Sequence, residues 1–241
     1  MGYTEYPPPA ALKDWVKCLW SIRDEPSESV QEVWPDGCVE LVFNAGDTFL
    51  VGADGSSRPF PRVAVVGLQT QILRVRSEGV VRLLSARMLP FGVGDWRPEE
   101  LQALALEMEP LLRLDRFDAA ADVLGAWLCR QPRIDDHLSA ALLKLHKEGG
   151  GVSISRLAAS QGLSSRQLQR VFARDLGVSP KILAKVVRFA HSWSRLLIEP
   201  DLSLTDLALE LGYSDQAHFC NEFRYFGRQS PSAFRKALHT K

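Results

Sequence analysis

One face of a helix predicted over residues 165–175 carries side chains able to read nucleic-acid bases. This face lies opposite the apolar positions Leu168, Val171 and Phe172. We call it the first polar face, and its members are Ser165, Arg166, Gln169, Arg170 and Arg174. An arginine can donate two hydrogen bonds to guanine, and a glutamine can pair with adenine. The face is therefore either a DNA-reading surface or an ordinary solvated helix face.

A second polar face follows about fifty residues later. Its members are Ser214, Gln216, Ala217, Cys220, Asn221 and Arg224. Asparagine and glutamine suit adenine, an alanine methyl can touch a thymine methyl, and serine hydroxyls tend to hold phosphate. This face has one arginine where the first has three, so we expect the first to supply more of the affinity for DNA.

Both faces belong to one pattern that occurs twice, at residues 157–180 (the first repeat) and 207–235 (the second repeat). Each repeat has a short helix, a three-residue turn containing Gly162 or Gly212, and a second helix. This pattern predicts a helix-turn-helix. In the second repeat Ser214 is the predicted N-cap, with Asp215 in the first turn.

A helix predicted over Pro180–Ile198 joins the two repeats. Its 19 residues give a length of roughly 28 Å. Successive major-groove elements are about 34 Å apart on DNA. The spacing therefore predicts that both repeats meet adjacent groove segments without a dimer.

The charge distribution separates the two halves of the 241-residue chain. The net charge is zero overall, but it is −5 over residues 1–134 and +5 over residues 135–241. A basic half is expected of a domain that neutralises phosphates. An apolar content of 46% is enough for packed cores and argues against disorder.

The N-terminal half has the pattern of an antiparallel β domain. Short strands recur about every ten residues up to Pro90, and helices are predicted from Pro98 and over 115–129, with Asp115 as N-cap. The 115–129 helix is either a dimerisation surface or packs on the β domain. The predicted fold is α+β multidomain: a β-barrel or sandwich with a helical extension (1–132) and an all-α domain (133–241).

The ionisable residues do not form a recognisable catalytic or metal motif. The four cysteines are scattered, and residues 1–134 contain no histidine. We therefore assign no catalytic residue, no metal ligand and no cofactor. The N-terminus lacks the features of a secretory signal, and no apolar run is long enough to cross a bilayer, so a cytoplasmic protein without membrane contact is expected.

Residues 135–241 resemble the DNA-binding domain of AraC/XylS-type transcriptional regulators. The resemblance is strongest in GYSDQAHFCNEFRYFGRQSPSAFRK and extends to QLQRVFARDLGVSP in the first repeat. It implies that double-stranded promoter DNA is a partner, and RNA polymerase is a further candidate. It also implies base-facing roles for Arg166, Gln169, Arg170, Gln216, Ala217, Cys220 and Asn221. Family members often carry arginine where this chain has Asn221.

The N-terminal domain is expected to sense an effector, as a weaker resemblance of WPDGCVELVFN to a cupin-like sensor domain implies. The candidate effector-binding residues are Trp20, Trp34, Arg82 and Arg87. An arginine inside such a domain would favour an acidic small molecule. The competing interpretation places the aromatic residues in the core and the arginines on the surface.

Two other functions stay open at this point. The N-terminal domain of a constitutive DNA-binding protein would only form a homodimer. An enzyme with an appended DNA-binding module would be a metal-free cupin-type enzyme or a DNA-repair protein using Cys38. The neighbouring charges of Asp36 and Glu40 disfavour a reactive thiolate at Cys38.

Overall fold

The computed structural model describes residues 2–51, 56–90, 96–131 and 136–238. The predicted domain boundary at 132/133 lies outside these described residues. The chain divides into two compact units. The β-sandwich unit contains residues 1–33, 38–68 and 73–136, and the helical unit contains residues 34–37, 69–72 and 137–241.

The β-sandwich unit is built from two antiparallel sheets. Its described strands are β1 (Gly2–Tyr6), β2 (Val16–Asp24), β3 (Ser27–Val33), β4 (Val39–Asn44), β5 (Thr48–Val51), β6 (Ser57–Pro59), β7 (Val63–Val66), β8 (Leu73–Ser77) and β9 (Val81–Met88). One sheet has the order β1-β2-β9-β4-β7, and the other has the order β3-β8-β5-β6. Of the two predicted alternatives, the sandwich is confirmed, because the described strands form two separate sheets rather than one closed barrel.

Strand β9 is the central strand of the larger sheet, between β2 and β4. Its alternate residues Leu84, Ala86 and Met88 are fully buried. Helices α1 (Pro98–Arg113) and α2 (Phe117–Cys129) pack against this strand. The period-2 pattern thus places one sheet face in an apolar core with the two helices.

The N-terminal strand β1 pairs with β2 in an antiparallel register. One prediction at the edge of this unit is wrong. Asp115 does not cap α2: it precedes the helix at φ 56°, and its carboxylate accepts hydrogen bonds from Arg23 Nε at 2.8 Å and Arg82 Nε at 2.9 Å. Those two guanidinium groups occupy the oxygens that a cap would need.

The helical unit contains the two repeats. Its described helices are α3 (Asp136–Lys147), α4 (Ile154–Ala159), α5 (Ser165–Leu176), α6 (Pro180–Ile198), α7 (Leu204–Glu210), α8 (Gln216–Gly227) and α9 (Pro231–Leu238). Helix α6 has the predicted bounds, with Ser179 as N-cap and Pro180 in the first turn, where a missing N–H costs nothing. Helix α9, which begins at Pro231, has no counterpart among the elements predicted from the sequence.

None of the described helices combines the length and apolar character needed to span a bilayer.

Candidate DNA interface

The turn of the first repeat is formed by backbone hydrogen bonds and one glycine. Gly162 adopts φ 67°, and the N–H of Leu163 donates to the carbonyl of Ala158 at 3.0 Å. Helix α5 then starts with a capping box: Ser164 Oγ accepts from the Gln167 N–H at 3.3 Å, and Gln167 Oε1 accepts from the Ser164 N–H at 2.9 Å. This reciprocal pair fixes the first turn of α5.

Helix α5 is anchored by Leu168 and Phe172, both essentially fully buried. All five residues of the first polar face are exposed, as predicted. Arg174 forms an ion pair with Asp175 (Nη2–Oδ2 2.8 Å), and that hydrogen bond holds the pKa of Asp175 below its usual range. Arg166 and Arg170 make no ion pair with any described residue. The uncompensated positive charge therefore lies toward the start of α5.

The second repeat has the same turn. Gly212 adopts φ 74°, and the N–H of Tyr213 donates to the carbonyl of Ala208 at 2.9 Å. The predicted N-cap is wrong by one position: α8 starts at Gln216, and Asp215 is its cap. Asp215 Oδ1 accepts from the His218 N–H at 2.7 Å, while the Ser214 hydroxyl donates to Oδ2 at 3.0 Å. These hydrogen bonds hold the pKa of Asp215 below its usual range, and the bond from the His218 backbone makes the largest contribution.

The second polar face is less open than the first. Cys220 is half-buried and packs against the core, whereas the other five members are exposed. Gln216 Oε1 accepts from Thr205 Oγ1 at 2.9 Å, and Arg224 Nη1 donates to Asn221 Oδ1 at 3.4 Å. A base that donates to these amides would compete with the two contacts for the amide oxygens.

A buried ion pair beneath α8 was not predicted from the sequence. Glu222 is only 5% exposed, and its Oε1 accepts from Arg188 Nε at 3.0 Å and Nη2 at 2.9 Å. Lys185 Nζ lies 3.5 Å from Oε2, and the Arg188 guanidinium lies over the Tyr213 ring at 4.2 Å from its centroid. Burial raises the pKa of Tyr213. The sequence feature that could have revealed this pair is an acidic residue, Glu222, next to Phe223 among the apolar positions of α8.

The four candidate effector-binding residues lie in three different environments. Trp20 is buried, and the Arg87 guanidinium lies 6.0 Å from its ring centroid and pairs with Glu40 (Nε–Oε1 2.9 Å). Arg82 pairs with Asp115. Trp34 belongs to the helical unit, where it packs among aromatic rings. The structure therefore brings Trp20 and Arg87 together and places the other two elsewhere.

The β-sandwich unit contains a small cavity beside α1. Its volume is about 50 Å³, and its lining includes Phe43, Asn44, Arg62 and Glu109. Ligand sites for metabolites are typically about 300–1,000 Å³. The cavity is therefore too small for such a molecule, and none of the four candidate residues lines it.

One observation bears on the DNA-repair alternative. Cys38 is 4% exposed, and a thiol that accepts a group from DNA must be accessible. Across the described ranges, no group of three or more histidine, cysteine or acidic residues is placed to hold a metal ion.

Comparison with protein families gives two matches. Residues 157–237 match a helix-turn-helix domain family, and residues 4–106 match a domain of unknown function (DUF6597). The helix-turn-helix match covers both repeats.

Individual relatives match less than half of the chain. An uncharacterised HTH-type transcriptional regulator of Haemophilus influenzae is 33% identical over 105 residues, which is 43% of this chain and 35% of that protein. The Msm operon regulatory protein of Streptococcus mutans is 33% identical over 91 residues, which is 37% of this chain and 32% of that protein. The chain thus spans about a third of the length of these relatives.

Among solved structures, a transcriptional regulator with an AraC-type DNA-binding domain from Chromobacterium violaceum is 25% identical. The match covers 42% of this chain and 91% of that one, with a TM-score of 0.39.

Proposed function

We propose that this chain, whose C-terminal helix-turn-helix domain belongs to the AraC-type family, binds specific sequences in double-stranded promoter DNA and regulates transcription. One observation carries the proposal. The helical unit forms the same helix-turn-helix twice, and each second helix presents polar side chains to solvent. Helices α5 and α8 would each enter the major groove.

Base recognition would begin at the first turn of each second helix. Arg166 and Arg170 on α5 are free of ion pairs with described residues, so both guanidinium groups can donate to guanine O6 and N7. On α8, Gln216 and Asn221 have the amide chemistry for adenine. Ala217 is exposed and can contact a thymine methyl.

The rest of the affinity would come from phosphate contacts. The exposed Arg174 and Arg224 lie further along the two helices, where Arg174 is already paired with Asp175. Each phosphate that the protein neutralises releases counterions, so affinity should fall steeply as salt concentration rises.

Regulation is assigned to the β-sandwich unit as part of the proposal. A small-molecule effector or a second copy of the chain regulates only if it binds one state of the protein better than the other. The buried Trp20 and the Arg87–Glu40 pair are the described residues that would respond to an acidic ligand. RNA polymerase at the promoter is the corresponding downstream partner, and the cytoplasm is the place of action.

Selection of bound sequences from a random DNA library tests the proposed function. The full chain should enrich a motif with two elements centred about one helical turn (roughly 10 base pairs) apart. A double variant R166A/R170A should lose one element and keep the other. No enrichment over random DNA would contradict the proposal, and a single short element would contradict the use of both repeats.

A thermal-shift screen of the full chain with small metabolites tests the regulatory assignment. A ligand that raises the unfolding temperature of the wild type but not of R87A supports sensing through Arg87. A ligand that stabilises both proteins equally binds elsewhere and contradicts that assignment.

A further inference from the structure

The segment WPDG (residues 34–37) is part of the helical unit, although the residues on both sides of it belong to strands of the β-sandwich unit. Strand β3 ends at Val33, and β4 begins at Val39. Neither the strand pattern nor the DNA-binding proposal explains why this short connection carries a tryptophan.

The Trp34 ring packs among aromatic side chains from three helices of the helical unit. It stacks on Phe189 of α6 with ring centroids 5.8 Å apart and an interplanar angle of 19°. It also lies 6.1 Å from Phe223 of α8 and 5.0 Å from Phe234 of α9. Trp193 of α6 makes an edge contact at 6.2 Å. One side chain therefore contacts α6, α8 and α9.

Two glycines show that this packing is close. A Cβ on Gly227, at the end of α8, would lie 3.2 Å from Cζ3 of Trp34 and 3.3 Å from the Phe189 ring. Gly37 adopts φ 76°, and a Cβ there would lie 2.7 Å from Val187 Cγ2 and 3.2 Å from His146 Cε1. A side chain at Gly37 would therefore require its neighbours to shift, and one at Gly227 would fit only if the rings moved by a few tenths of an ångström.

We propose that Trp34 is a positioning residue for the second polar face: it sets how α8 sits against α6 and α9. Phe223, which Trp34 contacts, is two residues from Asn221 on the same helix, so movement of Phe223 moves the amide that would meet DNA. The DNA-reading part of this inference rests on the proposed function, whereas the positioning of α8 does not.

Strand β3 belongs to the four-stranded sheet and β4 to the five-stranded sheet, so the WPDG segment links the two sheets along the chain. The segment is joined covalently to both strands, whereas its contact with α8 is made by packing of the Trp34 ring against Phe223.

Hydrogen exchange on the full-length chain tests the positioning role without DNA. In W34A, the amides of α8 and α9 should exchange about tenfold faster or more, since truncating a packed aromatic ring leaves a cavity. Exchange in α4, α5 and the β-sandwich unit should change little. W34F keeps a ring in the cluster and should restore most of the protection.

A matched control is F172A, which removes a buried ring from α5 instead. It should accelerate exchange in the first repeat and leave α8 protected. Unchanged exchange of α8 in W34A, or a uniform increase across the whole chain, would overturn the proposal, because Trp34 would then be either dispensable or a general stability residue.

DNA discrimination tests the second part. With DNA carrying the selected motif, W34A should lose about fivefold or more of its discrimination at base pairs read by α8 and keep its discrimination at those read by α5. F172A should show the reverse. Equal losses at both elements would overturn the link from Trp34 to the second polar face. A wild-type chain that selects no sequence would contradict the proposed function, while the exchange result would still decide the positioning role.

Discussion

The two repeats share one backbone turn but anchor their second helices in different ways. Gly162 and Gly212 adopt nearly the same conformation and accommodate equivalent hydrogen bonds. Helix α5 is then held by two buried side chains, Leu168 and Phe172. Helix α8 is held by five buried residues: Phe219, Glu222, Phe223, Phe226 and Gly227.

This difference shows that anchoring a short helix limits the side chains that it can present to solvent. Both helices have 12 residues, so each position committed to the core is unavailable to a base or a phosphate. Helix α8 has more buried residues and one outward arginine, Arg224. Helix α5 has fewer buried residues and three outward arginines. The repeat with the more distinctive sequence is therefore expected to be the weaker DNA reader.

The largest expected effect is on the anchoring of α8. In E222A, the charges of Arg188 and Lys185 lose their buried partner, and we expect a loss of about 3–5 kcal/mol in the free energy of unfolding. Chemical denaturation of the full chain measures it. The matched control is E210A, which removes the exposed partner of Arg195 and should cost only about 0–1 kcal/mol. Similar costs for the two variants would show that the buried pair does not anchor α8.

Removal of Arg170 should have the next largest effect. R170A should weaken binding to the selected DNA sequence by about 1–3 kcal/mol if the guanidinium reads a base. Titration of specific and random DNA at fixed salt measures the difference. Equal losses on both DNAs would instead make Arg170 a phosphate contact and would remove the main contrast between the two helices.

Removal of Asn221 should cost less than removal of Arg170. The Asn221 side chain already accepts a weak hydrogen bond from Arg224 at 3.4 Å, and we expect N221A to lose less than about 1 kcal/mol of specific binding. The same DNA titration compares the two variants directly. A larger loss for N221A than for R170A would reverse the ranking of the two polar faces.

Sequence patterns predicted most of the elements in which the two repeats are compared. The bounds of α6, the two glycine turns and the exposure of the first polar face followed from helical periodicity and local turn chemistry. These features depend on residues that are close in the chain. The barrel-or-sandwich choice did not follow, because strand order depends on pairings such as β2 with β9, which are about sixty residues apart.

The missed features each depend on a distant partner. Asp115 has the residue type of a cap, but Arg23, far away in the chain, binds its carboxylate. Glu222 is buried because Arg188 on another helix neutralises it. Trp34 belongs to an aromatic cluster more than 150 residues downstream. A single sequence gives the type of each residue but not the partner that decides its role.

The smallest expected effect is the response of the α8 cap to low pH, which the α5 cap should lack. The pKa of Asp215 is lowered in the folded protein, so its contribution to stability is complete above the unfolded value of about 4 and is lost as pH falls through the lower folded value. The cap of α5 is Ser164, which does not titrate.

Backbone NMR between pH 6 and pH 2 should therefore show the His218 amide shifting as Asp215 takes up a proton, with little change at Gln167. The control D215N keeps a capping oxygen but cannot titrate, so the shift at His218 should disappear. If the amides of Gln167 and His218 moved together in the wild type, global acid unfolding rather than the α8 cap would be responsible.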